Sequence, residues 1–183
     1  MVIVTFLNIQ ANFLGIPVTY WILNIIFIIA SYTDHLDGKL ARKNNQITTF
    51  GKFADPLADK ILVLAAMLIL VEDGKLPAWI PIIVIFREFV VSGYRLVAVE
   101  KGGIVIAANI WGKLKTVTQM IAIILMFINI DGTNIYGAFI NGSLTGVKLI
   151  IKILATVLMT ISIVATIFSG WSYIKNGKDL LKD

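Results

Sequence analysis

Residues 34–59 of this 183-residue chain read DHLDGKLARKNNQITTFGKFADPLAD, and the stretch joins two apolar segments, residues 18–31 and 61–71. An apolar run that passes directly into a charged run without a turn residue favours one helix with two unlike halves. The pattern predicts a helix from Pro17 through Lys43 and a second from about Gly51 to Val71. The polar halves of the two helices then lie at the same end.

The rest of the chain has the composition of a membrane protein. Hydrophobic residues make up 58% of it, above the roughly 45–50% usual in soluble domains, and the mean hydropathy is +0.88. Further apolar segments predict helices over about Pro77–Val99, Ile106–Ile128 and Val147–Tyr173. Met1–Ile9 is apolar but too short to cross about 30 Å at about 1.5 Å per residue. We expect an all-α polytopic membrane protein with one integral membrane domain, residues 1–183.

Composition also limits the chemistry. The chain has no cysteine and one histidine, His35, which excludes disulfides, thiolate nucleophiles and cysteine-ligated metal sites. The net charge of +5 does not indicate nucleic-acid binding, because the positive residues lie between apolar segments and form no basic arm.

Lysine and arginine residues at the predicted helix ends are unevenly divided between the two membrane faces. Three lie on one face, Lys75, Lys148 and Lys152. The other face collects Lys39, Arg42, Lys43, Lys52, Lys101, Lys113, Lys115, Lys175, Lys178 and Lys182. Cytoplasmic loops carry the excess of positive residues, so we expect the second face to be cytoplasmic.

Four aspartates lie on the two helices of the opening stretch. Asp34 and Asp37 are three residues apart, and Asp55 and Asp59 are four apart, spacings that place each pair on one face of its helix. Four clustered carboxylates at the edge of a bilayer would repel each other strongly unless cations lie among them. Oxygen ligands favour a hard cation, Mg²⁺ or Mn²⁺. His35 lies off the face of Asp34 and Asp37, and we expect no role for it.

Pro56 leaves two possibilities for the second helix. A proline inside a helix kinks it, whereas Asp55 as N-cap with Pro56 at the first helical position would start the helix there. We favour a continuous, kinked helix. Gly51 then lies one turn before Asp55, where the missing side chain lets a ligand approach the backbone.

The complete pattern is Asp34-x-x-Asp37-Gly38-x-x-Ala41-Arg42, eight residues, then Gly51-x-x-x-Asp55-x-x-x-Asp59. It resembles the signature of the CDP-alcohol phosphotransferase family at every fixed position. The segments Asp55-Pro56-Leu57-Ala58-Asp59-Lys60, Arg87-Glu88-Phe89 and Gly112-Lys113-Leu114-Lys115-Thr116 resemble its phosphatidylglycerophosphate synthase branch.

The resemblance implies a six-helix membrane bundle, a homodimer, and transfer of the phosphatidyl group from CDP-diacylglycerol to sn-glycerol 3-phosphate with release of CMP. It also implies two metal ions and the residue roles. Asp34, Asp37 and Asp55 would ligate metal, and Asp59 would complete the second metal site and act as general base. The CDP moiety would contact Asp37, Gly38, Ala41, Arg42 and Gly51. A bacterial cell membrane is the expected location, with the active site at its cytoplasmic face.

An acceptor that carries a phosphate needs a cationic pocket of its own. The candidates are positive residues within or beside apolar runs, where charge is costly unless an anion is bound: Lys60, Arg87, Arg95, Lys113 and Lys115. The alternative is that these side chains reach lipid headgroups or pair with Glu88 and Glu100.

Three rival interpretations stay open. The metal motif recognises the donor, so the acceptor could instead be inositol phosphate, inositol or serine. A cation-coupled transporter would also use clustered carboxylates, but it would place them near the midplane within inverted repeats. A catalytically silent relative is disfavoured because all four motif aspartates are present. The family also begins with an interfacial helix that Met1–Ile9 does not match, so we expect an incomplete first helix.

Overall fold

The computed structural model describes residues 1–7, 9, 11–43, 49–100, 110–128, 133–137 and 146–176, and helices dominate these ranges. The elements in chain order are α1 (Val2–Phe6), β1 (Asn12–Phe13), β2 (Ile16–Pro17), α2 (Val18–Lys43), α3 (Thr49–Glu72), α4 (Trp79–Glu100), α5 (Ile110–Ile128) and α6 (Val147–Asn176). The helical class is confirmed, and the predicted bounds of α2, α3 and α4 are met within two residues.

The short hairpin β1–β2 was not predicted. It is antiparallel, with Phe13 opposite Ile16, and its two turn residues, Leu14 and Gly15, have φ angles of 53° and 78°. Two successive positive φ angles are the geometry of a tight hairpin turn. Leucine rarely adopts this conformation, so the sequence carries only half of the usual turn signal.

Helix α3 passes through Pro56 without ending. The alternative in which the helix starts at Pro56 with Asp55 as its cap is therefore wrong. Pro56 costs one backbone hydrogen bond inside the helix. Sixteen helical residues from Leu57 to Glu72 follow it, so the apolar half of α3 retains enough length to pack.

The core is one apolar cluster that all five long helices share. Side chains with no more than 1% exposure include Leu23 and Phe27 of α2, Leu70 of α3 and Ile123 and Phe127 of α5. The most extensive helix pair is α5 with α6, and α2 and α4 pack against this pair. Close packing of this kind fixes the relative depth of the helices.

The outer surfaces of these helices are apolar too. Exposed large side chains recur along one face of α6, at Ile150, Leu154, Val157, Ile161 and Val164. Soluble proteins rarely expose continuous apolar patches of this size. Residues Ile110–Ile128 and Val147–Lys175 are also long and apolar enough to cross a membrane. The surface therefore indicates a membrane-associated protein.

One end of the bundle is closed by a buried polar junction. The backbone N–H of Ile135 donates to the carbonyl of Lys75 at 3.0 Å, and the hydroxyl of Thr156 on α6 donates to the carbonyl of Ile135 at 3.0 Å. The Nζ of Lys75 lies 3.5 Å from the centroid of the Tyr20 ring, at the start of α2. These contacts connect the start of α2, the end of α3 and the first half of α6 at one end of the bundle. The polar halves of α2 and α3 therefore lie at the other end.

Candidate active site

The motif aspartates lie on the two helices that the sequence predicts. The backbone is helical from Asp34 to Lys43 in α2 and from Thr49 to Lys60 in α3, and α2 and α3 are neighbours. The three- and four-residue spacings thus fall on helical backbone, which is what presenting two carboxylates from one face requires. The segment that joins the helices, residues 44–48, lies outside the described ranges.

The side chain of Asp34 is exposed, and an exposed carboxylate can accept a cation from solution. Nothing is described of several other predicted side chains, namely those of His35, Asp37, Gly38, Ala41, Arg42, Gly51, Asp55, Asp59 and Arg95. Within the described part of the chain, no three histidine, aspartate or glutamate side chains form a metal-binding group. A carboxylate donor set fits a hard divalent cation, and metal binding stays a prediction.

The structure describes a second group of charged side chains, one of which directly follows the motif in the chain, and Glu88 of α4 lies at its centre. The Nη1 of Arg87 donates to Oε1 of Glu88 at 3.0 Å, and Lys115 of α5 donates to the same oxygen. The Nζ of Lys60, the residue after Asp59 on α3, lies 3.5 Å from Oε2. Three predicted phosphate-binding cations thus meet at one carboxylate, which we call the Glu88 cluster: Lys60, Arg87, Glu88 and Lys115.

The Glu88 cluster becomes less exposed from Lys60 towards Lys115. Exposure of the side chains is 37% for Lys60, 12% for Arg87 and 7% for Lys115. Lys60 also donates to the hydroxyl of Ser92, one turn after Glu88, at 2.7 Å. Ion pairs gain strength as water is excluded, so Arg87 and Lys115 form the fixed floor of the site and Lys60 its open side.

Helix α6 completes the pocket around Arg87. The Nη2 of Arg87 donates to the hydroxyl of Ser169. A Cβ at Gly170 would lie 3.4 Å from Cγ of Arg87, and a Cβ at Gly112 on α5 would lie 3.4 Å from its Nη2. The two glycines thus leave the guanidinium a slot between α5 and α6. The buried Nε of Arg87 has no hydrogen-bond partner among the described residues.

The five predicted cations therefore differ in their surroundings. Pairing with Glu88, which the sequence left open as an alternative, is what the structure shows for Lys60, Arg87 and Lys115. Lys113 is exposed, away from buried Lys115, because residues two apart do not share a helix face. The side chain of Arg95 lies outside the described residues.

Sequence reasoning missed the polar stripe of α6. Ser162, Thr166 and Ser169 are fully buried, and the hydroxyl of Ser162 donates to the carbonyl of Lys115 at 3.3 Å. Their spacing of four and three residues in an otherwise apolar helix is the signal that could have found them. Glu88 was expected only as one of two possible partners of the predicted cations, and its central position among three of them was not predicted.

Comparison with known proteins identifies the family of this chain. A family model described as CDP-alcohol phosphatidyltransferase matches residues 1–171. The chain is 42% identical over 169 residues to the CDP-diacylglycerol–glycerol-3-phosphate 3-phosphatidyltransferase of Bacillus subtilis, covering 92% of this chain and 79% of that protein. It is 37% identical over 177 residues to the protein of the same name from Haemophilus influenzae, covering 94% and 86%.

A probable phosphatidylglycerophosphate synthase of Mycobacterium tuberculosis is 35% identical over 149 residues, covering 81% of this chain and 62% of that protein. The family match spans the motif helices, the Glu88 cluster and nearly all of α6. The chain belongs to the CDP-alcohol phosphatidyltransferase family.

Proposed function

We propose that this protein transfers the phosphatidyl group of CDP-diacylglycerol to sn-glycerol 3-phosphate and releases CMP. The observation that carries the choice of acceptor is the Glu88 cluster, in which three cations surround one carboxylate and one of the three, Lys60, directly follows Asp59 in the chain. Two relatives that cover most of this chain carry the name of that reaction. An acceptor without a phosphate would leave such a pocket uncompensated.

Four carboxylates would hold the donor's cations: Asp34, Asp37, Asp55 and Asp59. Bound Mg²⁺ or Mn²⁺, at a site for two ions, would neutralise the diphosphate and stabilise CMP as the leaving group. Gly38, Ala41 and Gly51 leave room beside the helix backbones for the CDP moiety. Arg42 would pair with a donor phosphate through its planar guanidinium.

Asp59 would act as the general base. It takes the proton of the acceptor hydroxyl while that oxygen attacks the phosphorus that bears diacylglycerol, and the bond from this phosphorus to CMP breaks. Lys60 follows Asp59 directly, so the base and the first cation of the acceptor pocket lie on the same turn of α3. This proximity would hold the hydroxyl near its base once the phosphate is bound.

The acceptor phosphate would enter from the side of Lys60 and meet Arg87 and Lys115 at the floor. A guanidinium offers two parallel donors to a phosphate, and an ammonium offers a compact point charge. Lys113, which is exposed, would attract the anion at longer range, and Arg95 is a further candidate for that role.

The protein would cross the membrane several times, through α2 to α6, with the active site at the cytoplasmic face. Aromatic pairs at both ends of the bundle support the spanning arrangement, because tryptophan and tyrosine gather at the two membrane interfaces. Trp111 and Phe168 stack with centroids 5.4 Å apart at the active-site end, and Trp79 and Tyr136 stack at 6.2 Å at the other. A bacterial cell membrane and a homodimer complete the proposal.

The decisive experiment gives the purified protein CDP-diacylglycerol, Mg²⁺ or Mn²⁺ and one alcohol at a time, and measures CMP. We expect release with sn-glycerol 3-phosphate and none above background with inositol phosphate, inositol or serine. Release with another alcohol alone would overturn the acceptor assignment. If none of the alcohols supports release of CMP, the enzymatic function is overturned. Light scattering of the same preparation measures the protomer number.

A further inference from the structure

The proposed transfer reaction assigns no step to Glu88, yet this carboxylate lies among several positive side chains. Its carboxylate touches cations from three helices, Lys60 of α3, Arg87 of α4 and Lys115 of α5. A carboxylate at the centre of a site for an anionic substrate is unexpected, because it competes with that substrate for the same donors. Its presence therefore calls for a function.

The charges of the described side chains suggest that function. Three positive groups and one negative group meet in the Glu88 cluster, which leaves two positive charges. A phosphate monoester carries about −1.5 to −2 at neutral pH. With Glu88 in place, one such ester therefore neutralises the net charge of the cluster. A bound monoanion would leave the cluster with a net positive charge.

The two carboxylate oxygens have different partners. Oε1 accepts hydrogen bonds from Arg87 and Lys115, the two cations with little exposure. Oε2 lies 3.5 Å from Lys60, a looser contact, and Lys60 has Ser92 as a second partner. The geometry thus separates two fixed cations from one that can turn towards a ligand on the open side.

We propose that Glu88 is a positioning residue that serves as the internal counter-anion of the acceptor site. It holds Arg87 and Lys115 through Oε1, and it releases Lys60 from Oε2 when an acceptor phosphate arrives. Because Glu88 already neutralises one positive charge, it weakens the binding of every anion to the cluster. It also keeps the three cations in place for the anion that reacts, the acceptor phosphate. This inference rests on the proposed acceptor pocket.

The primary test replaces Glu88 with glutamine, which keeps an acceptor oxygen and removes the charge. Inorganic phosphate is the probe, measured as a competitive inhibitor against sn-glycerol 3-phosphate. In Glu88→Gln we expect the Ki of phosphate to fall about tenfold and kcat to fall, with the KM for CDP-diacylglycerol unchanged. If Glu88 only tied helices together, kcat would fall while the Ki stayed the same or rose, and that result overturns the proposal.

A charge-balanced pair of variants keeps the test decisive if Glu88→Gln folds poorly. Lys60→Gln leaves one net positive charge among the described groups, and its Ki for phosphate should rise about tenfold. The double variant Lys60→Gln/Glu88→Gln restores two net positive charges, and its Ki for phosphate should return to within about threefold of wild type. A double variant no better than Lys60→Gln contradicts the proposal.

The matched control is Glu72→Gln, the same change at the exposed far end of α3, where the Ki should not move. Binding can also be measured without turnover, as the rise in Tm caused by phosphate relative to chloride at equal ionic strength. Glu88→Gln should show a larger rise than wild type. If the wild type uses an acceptor without phosphate, the proposed function fails by the CMP assay, and the Tm comparison still decides the role of Glu88.

Discussion

A Cβ atom at Gly112 on α5 would lie 3.4 Å from Nη2 of Arg87 on α4. At that distance a methyl group would only touch the guanidinium, whereas a larger side chain at position 112 would enter the space that it occupies. The guanidinium donates from there to Ser169 of α6. Gly112 thus leaves room, from a neighbouring helix, for a cation of the proposed acceptor pocket.

Enlarging residue 112 should impair the acceptor site alone. Overpacking costs about 1–3 kcal/mol, and 1.4 kcal/mol corresponds to a tenfold change in binding. We expect Gly112→Val to raise the KM for sn-glycerol 3-phosphate about tenfold or more, with the KM for CDP-diacylglycerol unchanged, while Gly112→Ala stays within about threefold of wild type. Steady-state kinetics with each substrate varied in turn measures both constants.

The matched control is Gly93→Val on α4, because a Cβ there would meet nothing within 4 Å. It makes the same change on a neighbouring helix and should leave both KM values as in wild type. Equal loss in the two valine variants would mean that helix propensity, and not the slot for Arg87, causes the effect.

Ser169 should matter for the same reason, from the other side of Arg87. Hydrogen bonds to charged groups contribute about 1.5–3 kcal/mol, so Ser169→Ala should raise the KM for sn-glycerol 3-phosphate about tenfold. Thr166→Val provides the comparison, because the hydroxyl of Thr166 donates to the carbonyl of Ser162 in its own helix. A similar KM in both variants would argue against a role for Ser169 in holding Arg87.

The metal site can be tested at Asp34, whose exposed side chain the structure describes. Removing one carboxylate ligand should weaken Mn²⁺ binding by at least about tenfold. Electron paramagnetic resonance of Mn²⁺ titrated into wild type and Asp34→Asn measures the change, and EDTA should abolish CMP release. Asp73→Asn, at the opposite end of the bundle, should bind Mn²⁺ like wild type. Unaltered binding in Asp34→Asn would remove Asp34 from the site.

Asp59 should differ from Asp34 in its kinetic signature. A general base contributes about 10²- to 10⁴-fold to the rate, so Asp59→Asn should lower kcat by that amount. The KM for sn-glycerol 3-phosphate should stay near wild type, because in the proposed site the phosphate is bound by the Glu88 cluster and not by Asp59. Steady-state rates at saturating metal provide the measurement. A kcat within threefold of wild type would assign the proton transfer to another group.

Much of the fold could be predicted because its determinants are local. The polar run after an apolar one predicted α2 nearly to the residue, and the continuous α3 through Pro56 was the favoured one of two alternatives. The hairpin at residues 12–17 could not be predicted, since its turn depends on Leu14 at a φ of 53°, held by contacts such as the bond from Trp21 Nε1 to the carbonyl of Phe13.

The site could be predicted in part, for a different physical reason. A charge inside an apolar run is visible in the sequence, so Lys60, Arg87 and Lys115 could be singled out, with Glu88 and Glu100 as possible partners. That Glu88 joins all three could not be predicted, because it meets Lys60 and Lys115 only after three helices have packed. Helical spacing alone could have separated Lys115 from Lys113, since residues two apart point to different sides.

The junction at the far end of the bundle should affect stability and leave catalysis unchanged. The Nζ of Lys75, a side chain that is 1% exposed, lies over the ring of Tyr20, and such a contact contributes about 0.5–2 kcal/mol. Tyr20→Leu removes the ring, and we expect its Tm in detergent to fall by about 2–8 °C, with both KM values unchanged. Tyr20→Phe keeps the ring and should lose less. If Tyr20→Leu instead raised the KM for sn-glycerol 3-phosphate, the two ends of the bundle would be coupled, and the acceptor pocket would depend on helix positions set at the junction.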